Sequence, residues 1–182
     1  QIHFHPPLPP WRERGIGGEG FEMSYPKPQR VDMPNWKILG QEHILAVLET
    51  SIRQNQLAHA YLLVGPPYIG KTTLALQLAQ AVNCLEQDRP CGLCQQCQRI
   101  ERGLHADVQI VAPAWDERTG RMRVETGIDQ VRTLERAAAL EPYEGRCRVV
   151  IIDGVERFSQ DAANALLKTL EEPPPHVFFL LL

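Results

Sequence analysis

The apolar positions of this chain change period in a regular alternation. Four short runs, "AYLLV" (60–64), "DVQIV" (107–111), "RVVII" (148–152) and "VFFLLL" (177–182), are continuous rather than alternating, as in parallel strands covered on both faces. The stretches between them repeat every three to four residues. "GQEHILAVLETSIRQNQ" sets Ile44, Val47, Leu48 and Ile52 on one helical face, and helical patterns follow at 71–83, 128–140 and 160–171. Ser159 is placed to cap the last of these, with Asp161 in its first turn. Strand alternating with helix predicts an α/β fold, a parallel sheet flanked by helices and joined by right-handed crossovers. The last run stops with the sequence, so a further strand is expected to cover the sheet edge beside strand 60–64.

Residues 1 to 32 follow neither period. They are rich in Pro and Gly and hold too few apolar residues to offset the entropy of ordering, so they predict a disordered tail. Met33 is read as the natural start, and a docking arm is the alternative reading of the tail. The remaining 33–182 read as the N-terminal part of one domain. A hydrophobic fraction of 43% with 23% charged residues suits a globular core. The formal charge of −3 provides no global basic field, so nucleic acid would be met locally or through partners. No apolar stretch is long enough for a bilayer and no secretory leader is visible, which predicts a cytoplasmic chain with no membrane partner.

Chemistry enters with "GPPYIGKT", residues 65–72, which fits G-x-x-x-x-G-K-[ST] between an apolar strand and a helix. In that motif Gly65, Pro66, Pro67, Tyr68, Ile69 and Gly70 curl backbone N–H groups round a phosphate. Lys71 reaches the β and γ oxygens, and the Thr72 hydroxyl ligates Mg²⁺. Thr73 starts the helix with some phosphate contact. ATP and Mg²⁺ are the cofactors implied. Asp153 ends strand 148–152, where a carboxylate can hold the Mg²⁺ water shell. Hydrolysis also needs a group that orients the attacking water, and Gly154 has no side chain for it. Asp153 is read as the Mg²⁺-site acid, Glu156 is the weak candidate for the base, and no other catalytic residue is assigned.

Cys84, Cys91, Cys94 and Cys97 give C-x6-C-x2-C-x2-C within a polar stretch. Four thiolates at this spacing can close tetrahedrally on Zn²⁺ with no open position, a structural site that would order an insertion over 84–103. Cys147, alone before a strand, reads as a small core residue.

From Ile38 onward the chain resembles the bacterial clamp-loader subunits of DNA polymerase III, within the AAA+ class of P-loop ATPases. The resemblance rests on "ILGQEHI", "HAYLLVGPPYIGKTT", the cysteine insertion, "HADV", "GIDQVRTL" and "AANALLKTLEEPPPHVFF". It implies the sheet order 5-1-4-3-2, truncated here before strand 5. It also implies a hetero-oligomeric ring with gamma/tau and delta subunits, acting on a sliding clamp and primed DNA. Gln41 is carried over as a candidate for the adenine side, with helix capping as its other reading. The hydrolysing gamma/tau type carries D-E-x-H where this chain has Asp153, Gly154, Val155 and Glu156, so the delta-prime type, a scaffold, is the nearer match. A gamma/tau-type motor is the alternative, and a small-molecule P-loop kinase the remote one. His59 and Arg132 read as packing or ion-pair residues.

Overall fold

The computed structural model describes residues 36–112 and 127–182, together with three two-residue strands at 3–4, 115–116 and 121–122. In chain order the elements are β1 (His3–Phe4), α1 (Glu42–Arg53), β2 (Ala60–Val64), α2 (Lys71–Asn83), α3 (Gln95–Glu101), β3 (Val108–Val111), β4 (Trp115–Asp116) and β5 (Arg121–Met122). They continue with α4 (Ile128–Ala138), β6 (Arg148–Ile152), a single 3-10 turn over Val155–Arg157, α5 (Gln160–Glu171) and β7 (Val177–Leu181). Apart from the β1 pair, the expected tail lies outside the described residues.

The sheet runs β1-β2-β7-β6-β3. The strands β2, β7, β6 and β3 are mutually parallel, and His3–Phe4 adds an antiparallel pair on the outer edge of β2. Four strands therefore take the 1-4-3-2 part of the expected order. Leu62, Leu181 and Ile152 lie level across β2, β7 and β6, so these strands finish at one common edge. That edge carries the phosphate loop.

Alternate residues of the central strands feed two cores. Val149 and Ile151 of β6, with Phe178 and Leu180 of β7, pack on α1 and α2, while Val150, Ile152, Val177 and Phe179 pack on α4 and α5. Phe179 and Ile151 are wholly buried, and each such side chain contributes roughly 1.5–3 kcal/mol. Ser159 caps α5 as its sequence position suggests, accepting from the Ala162 N–H at 3.3 Å.

Three expectations need correction. Coverage on both faces holds for β6 and β7 but only in part for the outer strands, where Ala60 and Val111 pack against the α4 and α5 core while Leu62, Val64 and Ile110 are exposed. On α1 the buried residues are Ile44, Leu45 and Leu48, and Val47 faces outward, so the buried stripe is centred one position away from the expected one. Helix α4 stops at Ala138, leaving Leu140 exposed.

The edge opposite the phosphate loop is held by buried polar groups that no periodicity reveals. The Asp107 carboxylate accepts from the N–H groups of Tyr143, Glu144 and Gly145 at 2.7–2.8 Å, with Arg148 at 3.5 Å. Asn83 Oδ1 accepts from the N–H groups of Arg146 and Cys147. A Cβ on Gly145 would stand 2.5 Å from that oxygen, and Asn83 is fully buried and cannot swing away. Gly145→Ala is therefore expected to cost about 1–3 kcal/mol in urea unfolding, the usual penalty of overpacking. Unchanged stability would show that the segment 143–147 shifts freely.

Candidate functional site

Strand β2 delivers the chain to Gly65, and α2 leaves from Lys71, so residues 65–70 form a loop at the C-terminal edge of the sheet. Gly70 precedes the helix with φ 95, a left-handed conformation that a side chain would strain. Helix α2 has no side-chain cap at its N-terminus, and its first-turn N–H groups are open to an anion. Lys71 Nζ donates to the carbonyls of Gly65 at 2.7 Å and Pro66 at 3.1 Å, folding the ammonium back across the loop. Pro66, Pro67, Thr72 and Thr73 are exposed, and Ile69 packs against the first core. Tyr68 sits at φ 64 with its ring fully in solvent, a conformation costing an L-residue roughly 1–2 kcal/mol. Nothing in the motif requires tyrosine there.

Asp153 follows β6, half-buried, with its N–H bonded to the Val111 carbonyl. One strand, β7, separates β6 from β2, so the two strand ends lie about 10 Å apart. Loop and acid therefore face one crevice. Gly154 turns the chain with φ 82, and the Gly154 and Val155 N–H groups both donate to the Leu182 carbonyl. Glu156 lies beyond this turn, exposed and ion-paired with Arg157 at 3.5 Å. The carboxylate expected as a weak base candidate is thus engaged on the surface.

Segment 36–41 packs beside the loop helix. Trp36 and Ile38 join the first core, and Lys37 N–H donates to Gln77 Oε1 at 3.0 Å. Gln41 is buried, and its Oε1 has no partner among the described residues. Its side chain does not cap α1; its main-chain carbonyl does, accepting from Ile44 and Leu45. The side-chain capping alternative is therefore not met. His59 is exposed and bonds the Leu170 carbonyl in the last turn of α5 through Nε2 at 3.0 Å, so it is a hydrogen-bonded surface residue rather than a packed one.

The four cysteines converge. Their sulfurs all lie within 4.8 Å of one another, with Cys84–Cys94 and Cys91–Cys97 at 3.9 Å. A tetrahedron with Zn–S bonds of about 2.3 Å has edges of about 3.8 Å, so the donor set fits zinc. Cys84 and Cys97 are fully buried, and the N–H groups of Leu93 and Cys94 point at Cys91 Sγ. Burial opposes ionisation of Cys94, but the backbone N–H groups of Leu85 and Cys97 outweigh it and bring its thiol to about 7. Burial pushes Cys84 and Cys97 up instead, a conflict that a shared divalent cation relieves. Cys147 stands apart, half-buried against the first core, its thiol pushed up to about 11 by burial.

Residues that motif reading missed tie this insertion to the fold. Gln77, Gln80 and Asn83 form a buried amide row on one side of α2. Gln80 Nε2 donates to the Cys97 carbonyl at 2.9 Å, and Gln96 Nε2 to the Glu144 carbonyl at 2.7 Å. The signal was there: polar residues every third position on an otherwise apolar helix.

A family profile described as "DNA polymerase III, delta subunit" matches residues 40–182. The chain is 40% identical over 146 residues to DNA polymerase III subunit tau of Escherichia coli, covering 79% of this chain and 21% of that protein. Identity to DNA polymerase III subunit tau of Bacillus subtilis is 39% over 163 residues, covering 87% and 27%. A solved gamma subunit-related protein of DNA polymerase III from Thermotoga maritima superposes with a TM-score of 0.53 at 26% identity, covering 74% of this chain and 38% of that one. The chain thus spans about a fifth to a quarter of the length of these curated relatives.

Proposed function

Because the chain belongs to the DNA polymerase III delta-subunit family, we propose that it is a clamp-loader subunit of the AAA+ class that binds Mg-ATP and turns it over negligibly by itself. The observation that carries this reading is the pairing of an intact phosphate loop with Gly154 after Asp153. Residues 65–70 and the first turn of α2 supply N–H donors and a favourable dipole to the phosphates. Lys71, released from the Gly65 and Pro66 carbonyls, reaches the terminal phosphates, and Thr72 and Asp153 stand where Mg²⁺ and its waters would sit. Gln41 offers a buried acceptor on the adenine side. Among these groups none is placed to orient a water for attack, since Gly154 has no side chain and Glu156 is paired with Arg157. Losing such help commonly costs about 10²–10⁴ in rate.

This combination favours a delta-prime-like scaffold, working in the cytoplasm in a ring with gamma/tau and delta subunits to load a sliding clamp on primed DNA. The 39–40% identity to tau proteins favours a second reading, the motor ATPase of the same assembly. A reconstituted ring separates the two. Lys71→Ala in this subunit should leave most ring turnover intact; loss of nearly all turnover would establish the motor reading.

Zinc held by Cys84, Cys91, Cys94 and Cys97 would be structural, adding folding free energy to the insertion and no chemistry. Freshly purified, reduced protein should contain one zinc per chain and release four thiols on chelation, and Cys94→Ser should expose 84–103 to protease. Metal content well below one equivalent would remove zinc from the reading.

A further inference from the structure

We propose that zinc loading of the cysteine insertion sets the affinity of the phosphate loop for nucleotide, with Gln80 and Ile100 as the positioning residues that join the two sites. The inference rests on the nucleotide and zinc readings above and adds a coupling between them. Helix α2 opens at the phosphate loop and closes on Cys84, which is both its C-terminal boundary and a thiolate donor. At 13 residues it spans about 20 Å. Near its far end Gln80, 5% exposed, gives its amide to the carbonyl of Cys97, another donor.

A second route runs through α3. Ile100, 1% exposed, belongs to the same core cluster as Leu74 and Leu78 of α2 and Trp36 and Ile38 of the preceding segment. Glu101 pairs with Lys37, whose N–H bonds Gln77 of α2. The loop helix and segment 36–41, which packs on it, therefore both lean on the insertion.

The insertion is the element with two states. Helix α3 has seven residues, too few to persist alone, and the leucines Leu85 and Leu93 are exposed. Metal supplies the missing free energy. When the insertion unfolds, the Gln80 amide loses its partner, Ile100 leaves the core, and α2 loses the structure that closes its last turn. Nucleotide favours the ordered α2 and segment 36–41, so it must in turn tighten zinc by the same factor, because coupling between binding equilibria is reciprocal. Couplings of this type typically span 5- to 150-fold.

The test uses the chain under reducing conditions, with a fluorescent N-methylanthraniloyl ADP as nucleotide probe and a chromogenic chelator competing for zinc. Zinc affinity, titrated with and without saturating Mg-ADP, should rise about tenfold when the nucleotide is present. ADP should bind about tenfold more weakly to chelated protein than to zinc-loaded protein. Gln80→Leu, which stays buried but cannot donate, should cut the rise in zinc affinity below about threefold while the variant still binds both ligands. The comparison is read where far-UV circular dichroism shows that the chelated chain keeps its sheet and remaining helices, so that a shared dependence on global folding is not counted as coupling; global unfolding on chelation overturns the local route through Gln80 and Ile100. Equal zinc affinity with and without ADP, at concentrations where ADP is demonstrably bound, overturns the coupling and leaves both sites intact. Failure of ADP to bind in any zinc state overturns the coupling together with the nucleotide reading, and failure of zinc to bind overturns it together with the metal reading. A tenfold coupling that survives Gln80→Leu removes Gln80 from the route.

Discussion

Replacing Asp107 by Ala is expected to remove about 3–5 kcal/mol of folding stability, the scale at which breaking a buried charged cluster is costly. The carboxylate is 2% exposed and accepts from three consecutive N–H groups while facing the Arg148 guanidinium. Its loss takes the shared acceptor from three part-buried donors and leaves Arg148 without its buried counter-charge, and an unsatisfied buried group costs about 1–3 kcal/mol. Burial opposes the charged form of Asp107, but the N–H groups of Tyr143, Glu144 and Gly145 and the charge of Arg148 outweigh it and hold the carboxyl below its ordinary value. A depressed folded value means that stability is present above the unfolded carboxylate value near 3.9 and is lost as pH falls through the folded one. Urea unfolding should therefore show the parent losing this contribution below about pH 4, and Asp107→Asn should show a flatter acid limb. A variant unfolding at the same urea concentration as the parent would mean that the segment 143–147 holds itself.

The parts of the fold that are local in sequence were legible from it. The four apolar runs became β2, β3, β6 and β7 within a residue of their expected ends, because continuous branched apolar residues suit a buried parallel strand. The loop between β2 and α2 and the convergence of the four cysteines were legible because each is a short spacing that only a narrow chemistry uses. Which face of each element is covered was less so. Val47 is as apolar as Leu45, and only the placement of α1 against β2 and α2 decides that Leu45 goes in. Asp107 is not legible, because one acid between an alanine and a valine looks like the polar end of a strand. Its meaning lies in N–H groups about 36 residues further along the chain. The amide row of α2 likewise pairs with partners up to 64 residues away, in segments with no period of their own.

The other large effect is expected at Lys71. Its ammonium bonds two carbonyls of its own loop on the exposed edge, contacts worth little to folding, so Lys71→Ala should leave the unfolding curve within about 0.5 kcal/mol of the parent. In the proposed Mg-ATP complex the same group would make charge-assisted bonds worth about 1.5–3 kcal/mol each, or roughly 10- to 150-fold in affinity per bond. Binding should collapse while the fold persists.

Binding and turnover of Mg-ATP, followed together in one sample of the chain at saturating nucleotide, test the pairing of an intact loop with a missing base most directly. The expected result is one ATP bound per chain and recovered uncleaved over many minutes, with both Lys71→Ala and an excess of ADP abolishing the bound signal. Steady release of phosphate that Lys71→Ala abolishes and Gly154→Glu leaves unchanged would contradict it, because a base other than the residue missing at 154 would then be at work.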